Sequence, residues 1–273
     1  MESIIYFQTT NDCTGNCRHC FQNSGPGKEH TTISQENFSK VIDHLPKNIV
    51  ELELTGGEIF KDRPTLYGYL KRIKDINEIR ENKIIVEVQT NGFWAENNFI
   101  VENELEKLSR FGVTALHITS KDPYHFEQGI KKEYLERIES INKKFGFLDD
   151  VCIFESGDIF PKGRGKNVIN AKTFYYSQDL ECKGSLNNNY VTINFDGAVY
   201  MCCFNLFRLP GNIIEDSLEI IIEKAKEVPT LKALNAQGIK GLAKLIEIPN
   251  TIINRRIQKY GECGYCAKLN RLI

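Results

Sequence analysis

Cys13-Thr14-Gly15-Asn16-Cys17-Arg18-His19-Cys20 puts three thiols on one short run of chain, and that spacing points to metal chemistry. Gly15 and Asn16 let the backbone turn tightly, so the three thiolates can face one centre. Bound to three irons of a [4Fe-4S] cluster, they would leave the fourth iron without a protein ligand. The alternative is a zinc knot closed by His19 or a distant residue, since zinc also takes thiolate and imidazole in fours. Six further cysteines stand at 152, 182, 202, 203, 263 and 266. A reducing compartment disfavours disulfides and turns such a set toward metal binding or catalysis. Cys152 lies within Val151-Cys152-Ile153-Phe154 and reads as a small buried hydrophobe. Cys202 and Cys203 are neighbours on an expected strand, so they face opposite ways and only one can join a given cluster.

The elements that must position these groups alternate. Short apolar runs at 4–9, 49–54, 83–89, 113–119 and 151–155 read as strands, separated by helical patterns, which is the pattern of a parallel sheet. Ser34 heads the first helix, with Phe38, Val41, Ile42 and Leu45 at helical spacing and Pro46 as the stop. Later helices are expected over 64–79, 98–111 and 126–145. A basic, glycine-rich loop follows at 161–166, and Asp196-Gly197 between alternating apolar runs predicts a β-hairpin over 190–202. Two more helices, 217–227 and 231–247, precede Cys263-Gly264-Tyr265-Cys266.

The whole composition sets limits. The chain has 273 residues, 41% of them hydrophobic, enough for a real core. With 35 Lys+Arg against 36 Asp+Glu the formal charge is -1, which gives no global field for a polyanion. No nucleic-acid partner is expected. The start, Met1-Glu2-Ser3-Ile4, lacks a basic and apolar targeting pattern, and no stretch reaches the roughly 18 apolar residues of a membrane helix. A cytoplasmic protein without a membrane partner is expected.

A CxxxCxxC motif in the loop after the first strand resembles that of the radical S-adenosylmethionine (SAM) superfamily. The likeness extends along the chain. Thr55-Gly56-Gly57-Glu58, ending the second strand, resembles the family's GGE motif, where backbone and Glu meet the SAM amino group. Gln89-Thr90-Asn91-Gly92, ending the third, resembles its ribose-contacting segment. Ser120 and Asp122 stand where the family often places further SAM-binding side chains, and Arg164 resembles the arginine that pairs with the SAM carboxylate. These matches span about residues 4–166. They imply an α/β fold, a partial (β/α)6 TIM-type barrel over 1–175, with its site at the C-terminal ends of the strands. They also imply a [4Fe-4S] cluster on Cys13, Cys17 and Cys20, with SAM chelated by the open iron. Reductive cleavage of SAM would give a 5′-deoxyadenosyl radical that takes hydrogen from an unactivated carbon. An electron donor such as flavodoxin or ferredoxin is implied.

Cys182, Gly197 and Cys202 resemble the opening of the auxiliary-cluster domains called SPASM and twitch, which would occupy 176–273. Cys263 and Cys266 would complete four ligands for one auxiliary [4Fe-4S] cluster, or for a structural zinc. A finer resemblance is to the epipeptide radical SAM peptide epimerases, and it rests on several segments. They are Thr55 to Phe60, Asn91 to Trp94, Ser120 with Tyr124-His125, Gly197 before Cys202-Cys203, and the closing Cys263-Gly264-Tyr265-Cys266. It implies a precursor peptide as substrate and L-to-D epimerisation: the radical removes an α-hydrogen and Cys203 returns one from the other face. The chain departs from that family at Asn187-Asn188-Asn189, where an acidic residue is expected. The same site could instead build a thioether or carbon–carbon cross-link, or dehydrogenate a small molecule, and Cys203 would then be dispensable.

Overall fold

Period-two alternation along short strands decides which side chains meet solvent-filled space and which meet helices. The computed structural model describes residues 3–48, 50–119, 121–154, 159–168, 185–187 and 190–271. Strands β1 (Ser3–Thr10), β2 (Val50–Gly56), β3 (Ile84–Thr90), β4 (Val113–Ile118) and β5 (Asp150–Ile153) lie parallel and side by side in chain order. On the free side of β1 lies β6 (Val191–Asn194), also parallel, followed by antiparallel β7 (Val199–Tyr200), giving the order β5-β4-β3-β2-β1-β6-β7.

One face of this sheet is largely apolar. Ile5, Phe7, Leu52, Leu54, Val88, Leu116, Val191 and Ile193 are fully buried, and they pack against helices α1 (Gln35–Asp43), α2 (Arg63–Ile79), α3 (Asn98–Arg110) and α5 (Lys132–Phe145). Phe7 stacks on Phe38 and Phe38 on Tyr69, with ring centroids 5.3 and 4.1 Å apart, which fixes the first two helices over β1. Caps set the helix starts: Ser34, Asp62 and Asn97 accept the amides of Asn37, Thr65 and Ile100. The opposite face carries the polar positions. In register across the strands run Tyr6, Glu53 and Glu87, then Gln8 with Thr55 and Gln89 with His117.

The parallel α/β architecture agrees with the sequence, and two details differ. The expected helix over 126–145 is divided into α4 (Pro123–Phe126) and α5, because Gly129 turns the chain with φ +88° between them. Among the described residues, the hairpin expected over 190–202 is hydrogen-bonded into the main sheet, with its first strand parallel to β1. Helix α6 (Leu218–Lys226) matches expectation, the next expected helix, α7 (Pro229–Leu245), is interrupted at Gly238 (φ 60°), and α8 (Asn250–Leu269) carries Cys263 and Cys266 as a helical pair after a break at Gly261 (φ 68°). Among the described residues no helix is long and apolar enough to cross a membrane.

Candidate active site

The loop after β1 is held in shape from four directions. Beneath it, Gly56 and Gly57 let the end of β2 approach: a Cβ on Gly56 would lie 2.4 Å from the Thr10 carbonyl oxygen, and one on Gly57 2.1 Å from that of Asp12. The amides of Gly57 and Glu58 donate to those same carbonyls at 2.7 and 2.8 Å. Lys61 pairs with the Asp12 carboxylate at 2.6 Å. At the tip, the Asn16 amide donates to Gln128 Oε1 (2.8 Å) and Arg18 pairs with Glu127 (2.8 Å). From the β3 side, Asn91 Nδ2 donates to Thr14 Oγ1 (3.1 Å). On the far side, Arg164 donates to loop carbonyls.

Cys13, Cys17 and Cys20 thereby line one cavity of about 550 Å³. Burial pushes the Cys13 thiol up to about 11 and the Cys17 thiol up to about 12, with the charges of neighbouring thiols adding to both. Three thiolates side by side repel one another, and coordination to cations is what stabilises that state. The donor set therefore fits a [4Fe-4S] cluster with one iron left open.

The cavity lies at the C-terminal ends of β1 to β4 and is also lined by Gly56, Gly57, Gln89, Asn91, Arg164 and Cys203. Nine of the residues singled out in the sequence thus meet there. Glu58 does not line it. Its buried carboxylate accepts from the Asn91 amide (2.7 Å), the Phe60 amide (3.1 Å) and Thr90 Oγ1 (2.9 Å), tying the β2 end to the β3 end. Burial raises its pKa to about 7 against those hydrogen bonds. Asp122 also stands behind the wall, capping α4 through the Tyr124 and His125 amides and holding His125 Nδ1 at 2.6 Å. Burial alone would raise its pKa, but the hydrogen bond and charge of His125 hold it below the usual carboxylate range. His19 packs between Tyr124 and His125, and burial lowers its pKa to about 4. Ser120 and Cys182 lie outside the described residues.

Cys203, Tyr190 and Phe204 form a partition. All three line the large cavity and a small apolar pocket whose other walls include Cys202 and Cys263. The Cys202 thiol donates to the Leu206 carbonyl at 3.9 Å, and Cys266 is buried one helical turn beyond Cys263. The turn bearing these cysteines is docked on the N-terminal loop by three aromatic rings: Phe160 stacks on Phe204 at 3.8 Å, and Phe21 meets both edge-on. Sequence reasoning missed Tyr6, Glu53 and His117, which also line the large cavity. Tyr6 Oη and Tyr190 Oη are 3.4 Å apart, and His117 bridges Glu53 and Glu87 at 3.4 and 3.6 Å. The signal was present, since each is a polar side chain flanked on both sides by apolar residues in its strand.

A family model for the radical SAM superfamily matches residues 7–151, which is more than half of the chain. The chain belongs to the radical SAM superfamily, and it is a radical SAM enzyme whose cofactors are SAM and a [4Fe-4S] cluster. Its fold is shared with solved structures at low identity. The structure of BtrN in complex with AdoMet and 2-DOIA gives a TM-score of 0.58 at 18% identity, covering 88% of this chain and 89% of that one. Native anSMEcpe with bound AdoMet gives 0.58 at 14% identity, covering 96% and 89%. The same protein with bound AdoMet and Cp18Cys peptide gives 0.56 at 13% identity, covering 97% and 88%. No curated protein matches the chain.

Proposed function

We propose that the protein matures a ribosomally made peptide by L-to-D epimerisation. In this reading residues 1–175 form the radical SAM unit and 176–273 a SPASM- or twitch-like unit. Cys13, Cys17 and Cys20 hold the SAM-binding cluster. SAM lies against Gly56, Gly57, Gln89 and Asn91, while Glu58 and Asp122 steady those loops from behind, and Ser120 completes the wall. Cys202, Cys263 and Cys266 hold one auxiliary cluster together with Cys182. When bound, the cluster and SAM supply a carbon-centred radical able to remove an unactivated hydrogen.

The observation that carries the outcome is the place of Cys203, on a wall of the cavity that the three N-terminal thiols also line. A substrate α-carbon that has lost hydrogen toward the Cys13 to Cys20 loop can receive one from Cys203 on its other face. The S–H bond breaks homolytically, a C–H bond forms and the configuration inverts, leaving a Cys203 thiyl radical that one electron from the donor and one proton from solvent return to the thiol. The remaining walls, including Tyr6, Phe154, Phe160 and Tyr190, exclude water from the radical. A peptide substrate is further supported by the Cp18Cys peptide bound in one fold neighbour. The site needs a low-potential one-electron donor such as flavodoxin or ferredoxin, and hence a reducing cytoplasm.

The test is anaerobic turnover of the reconstituted enzyme with SAM, reductant and the peptide encoded beside its gene, in deuterated water. A gain of one deuterium with a D-residue on chiral analysis is expected, and Cys203→Ala should abolish the incorporation. Loss of two hydrogens, with Cys203→Ala as active as the parent, would replace this reading with cross-linking or dehydrogenation.

A further inference from the structure

The basic turn after β5 grips the cysteine loop through its backbone as well as its side chain. The Arg164 amide donates to the Cys20 carbonyl (2.9 Å), its Nε to the Cys17 carbonyl (2.8 Å) and its Nη2 to the Ser24 carbonyl (2.5 Å). On either side there is no room for a side chain. A Cβ on Gly163 would lie 2.4 Å from the Phe21 carbonyl oxygen and 2.6 Å from that of Cys20, and one on Gly165 2.9 Å from that of His19. Gly163 also has φ +55°, a conformation that L-residues with a Cβ rarely adopt. The turn is in turn anchored by Phe160, which meets Phe21 edge-on with centroids 6.3 Å apart. Every carbonyl from His19 to Phe21, with those of Cys17 and Ser24, thus faces this one three-residue turn.

A guanidinium presents its N–H groups along fixed edges, and bidentate pairing with a carboxylate uses one of those edges whole. The Nε–Nη2 edge of Arg164 is already engaged by two carbonyls of the loop. We infer that Arg164 is a positioning residue that clasps the Cys17–Cys20 turn in its ligating shape, in place of the expected partner of the SAM carboxylate. The inference rests on Cys13, Cys17 and Cys20 being the cluster ligands. Arg164 also brings a permanent positive charge beside Cys17, and cluster potentials respond to net charge and to hydrogen bonds around the ligands.

The experiment compares reconstituted holoenzyme with Arg164→Gln and Arg164→Lys, the second keeping the charge without the fork. Three quantities are read: iron release to a chelator, the reduction potential of the SAM-responsive cluster by EPR-monitored titration, and SAM affinity of the cluster-loaded fraction. Arg164→Gln should release iron about tenfold faster or more, the scale on which an outer hydrogen-bond partner supports a metal site. Its potential should fall, since a positive charge is gone, and SAM affinity should hold. Arg164→Lys should restore the potential but not the retention. Unchanged release and potential with SAM binding weakened about tenfold would overturn the inference and return Arg164 to the SAM carboxylate. Cys17→Ala separates the two layers. If that variant keeps its iron, the ligand assignment falls and this inference with it. If it loses iron while Arg164→Gln does not, only the clasp falls.

Discussion

Glu58 is the residue at which local motif and long-range partner diverge most clearly. As part of Gly56-Gly57-Glu58 it resembles a SAM contact, while its three hydrogen bonds go to Phe60, Thr90 and Asn91. Its pKa rises from the ordinary 4.5 to about 7, chiefly through burial. The folded protein therefore keeps a proton there that the unfolded chain has released. The stabilisation is full below about pH 4.5 and is lost as pH climbs through about 7. Removing the carboxylate removes that slope, so the thermal midpoint of wild type minus that of Glu58→Gln should fall as pH rises across this window. Equal pH slopes would count against the buried acid. The cysteine trio and Asn91 were legible in the sequence because each lies in a short local motif. The anchors Gln128 and Glu127, like the role of Arg164, were not, because they reach the loop from more than 100 positions away.

At the scale of elements, two glycines separate packing from backbone conformation. Gly57 is needed because the Asp12 carbonyl sits where its Cβ would be. Gly112 has nothing within 4 Å and only a φ of +83°. Gly112→Ala should cost about 1 kcal/mol, the strain of a left-handed residue. Gly57→Ala should cost about 3 kcal/mol or more, as overpacking against rigid backbone does, and should also lower iron content. Thermal unfolding and iron analysis of both variants check this, and equal losses would mean the β2 end does not support the cysteine loop. The strands and most helices could be read from period and caps alone. Helix α8 could not, because Gly261, Gly264 and the Cys-x-x-Cys spacing all read as loop, and the helix is secured instead by burying Ile253, Tyr265 and Leu269. The placement of β6 was equally hidden, since no local pattern names the strand it will join.

For the whole molecule, that placement sets how stability is shared. β1 feeds the cysteine loop and β6 leads toward Cys203, and the two are paired directly, Ile5 with Val191 and Phe7 with Ile193. These four side chains are fully buried. Native-state hydrogen exchange should thus show β6 amides opening with the same free energy as those of β1. Early, separate opening of β6 would mark the C-terminal part as an independent unit. The family match over 7–151 and the fold likeness to BtrN concern the same sheet from which both loops project.

The β1–β6 pairing also bears on how the chain is made. Tyr6 and Tyr190, which meet across it, are 184 positions apart, and contacts of such separation are slow to form. During synthesis β1 emerges first, gains β2 on one side within about fifty residues, and then shows an unpaired edge to the translation machinery until the hairpin follows. An open strand edge of that kind invites pairing with other chains. The nascent protein is thus most in need of a chaperone in the interval before that hairpin exists.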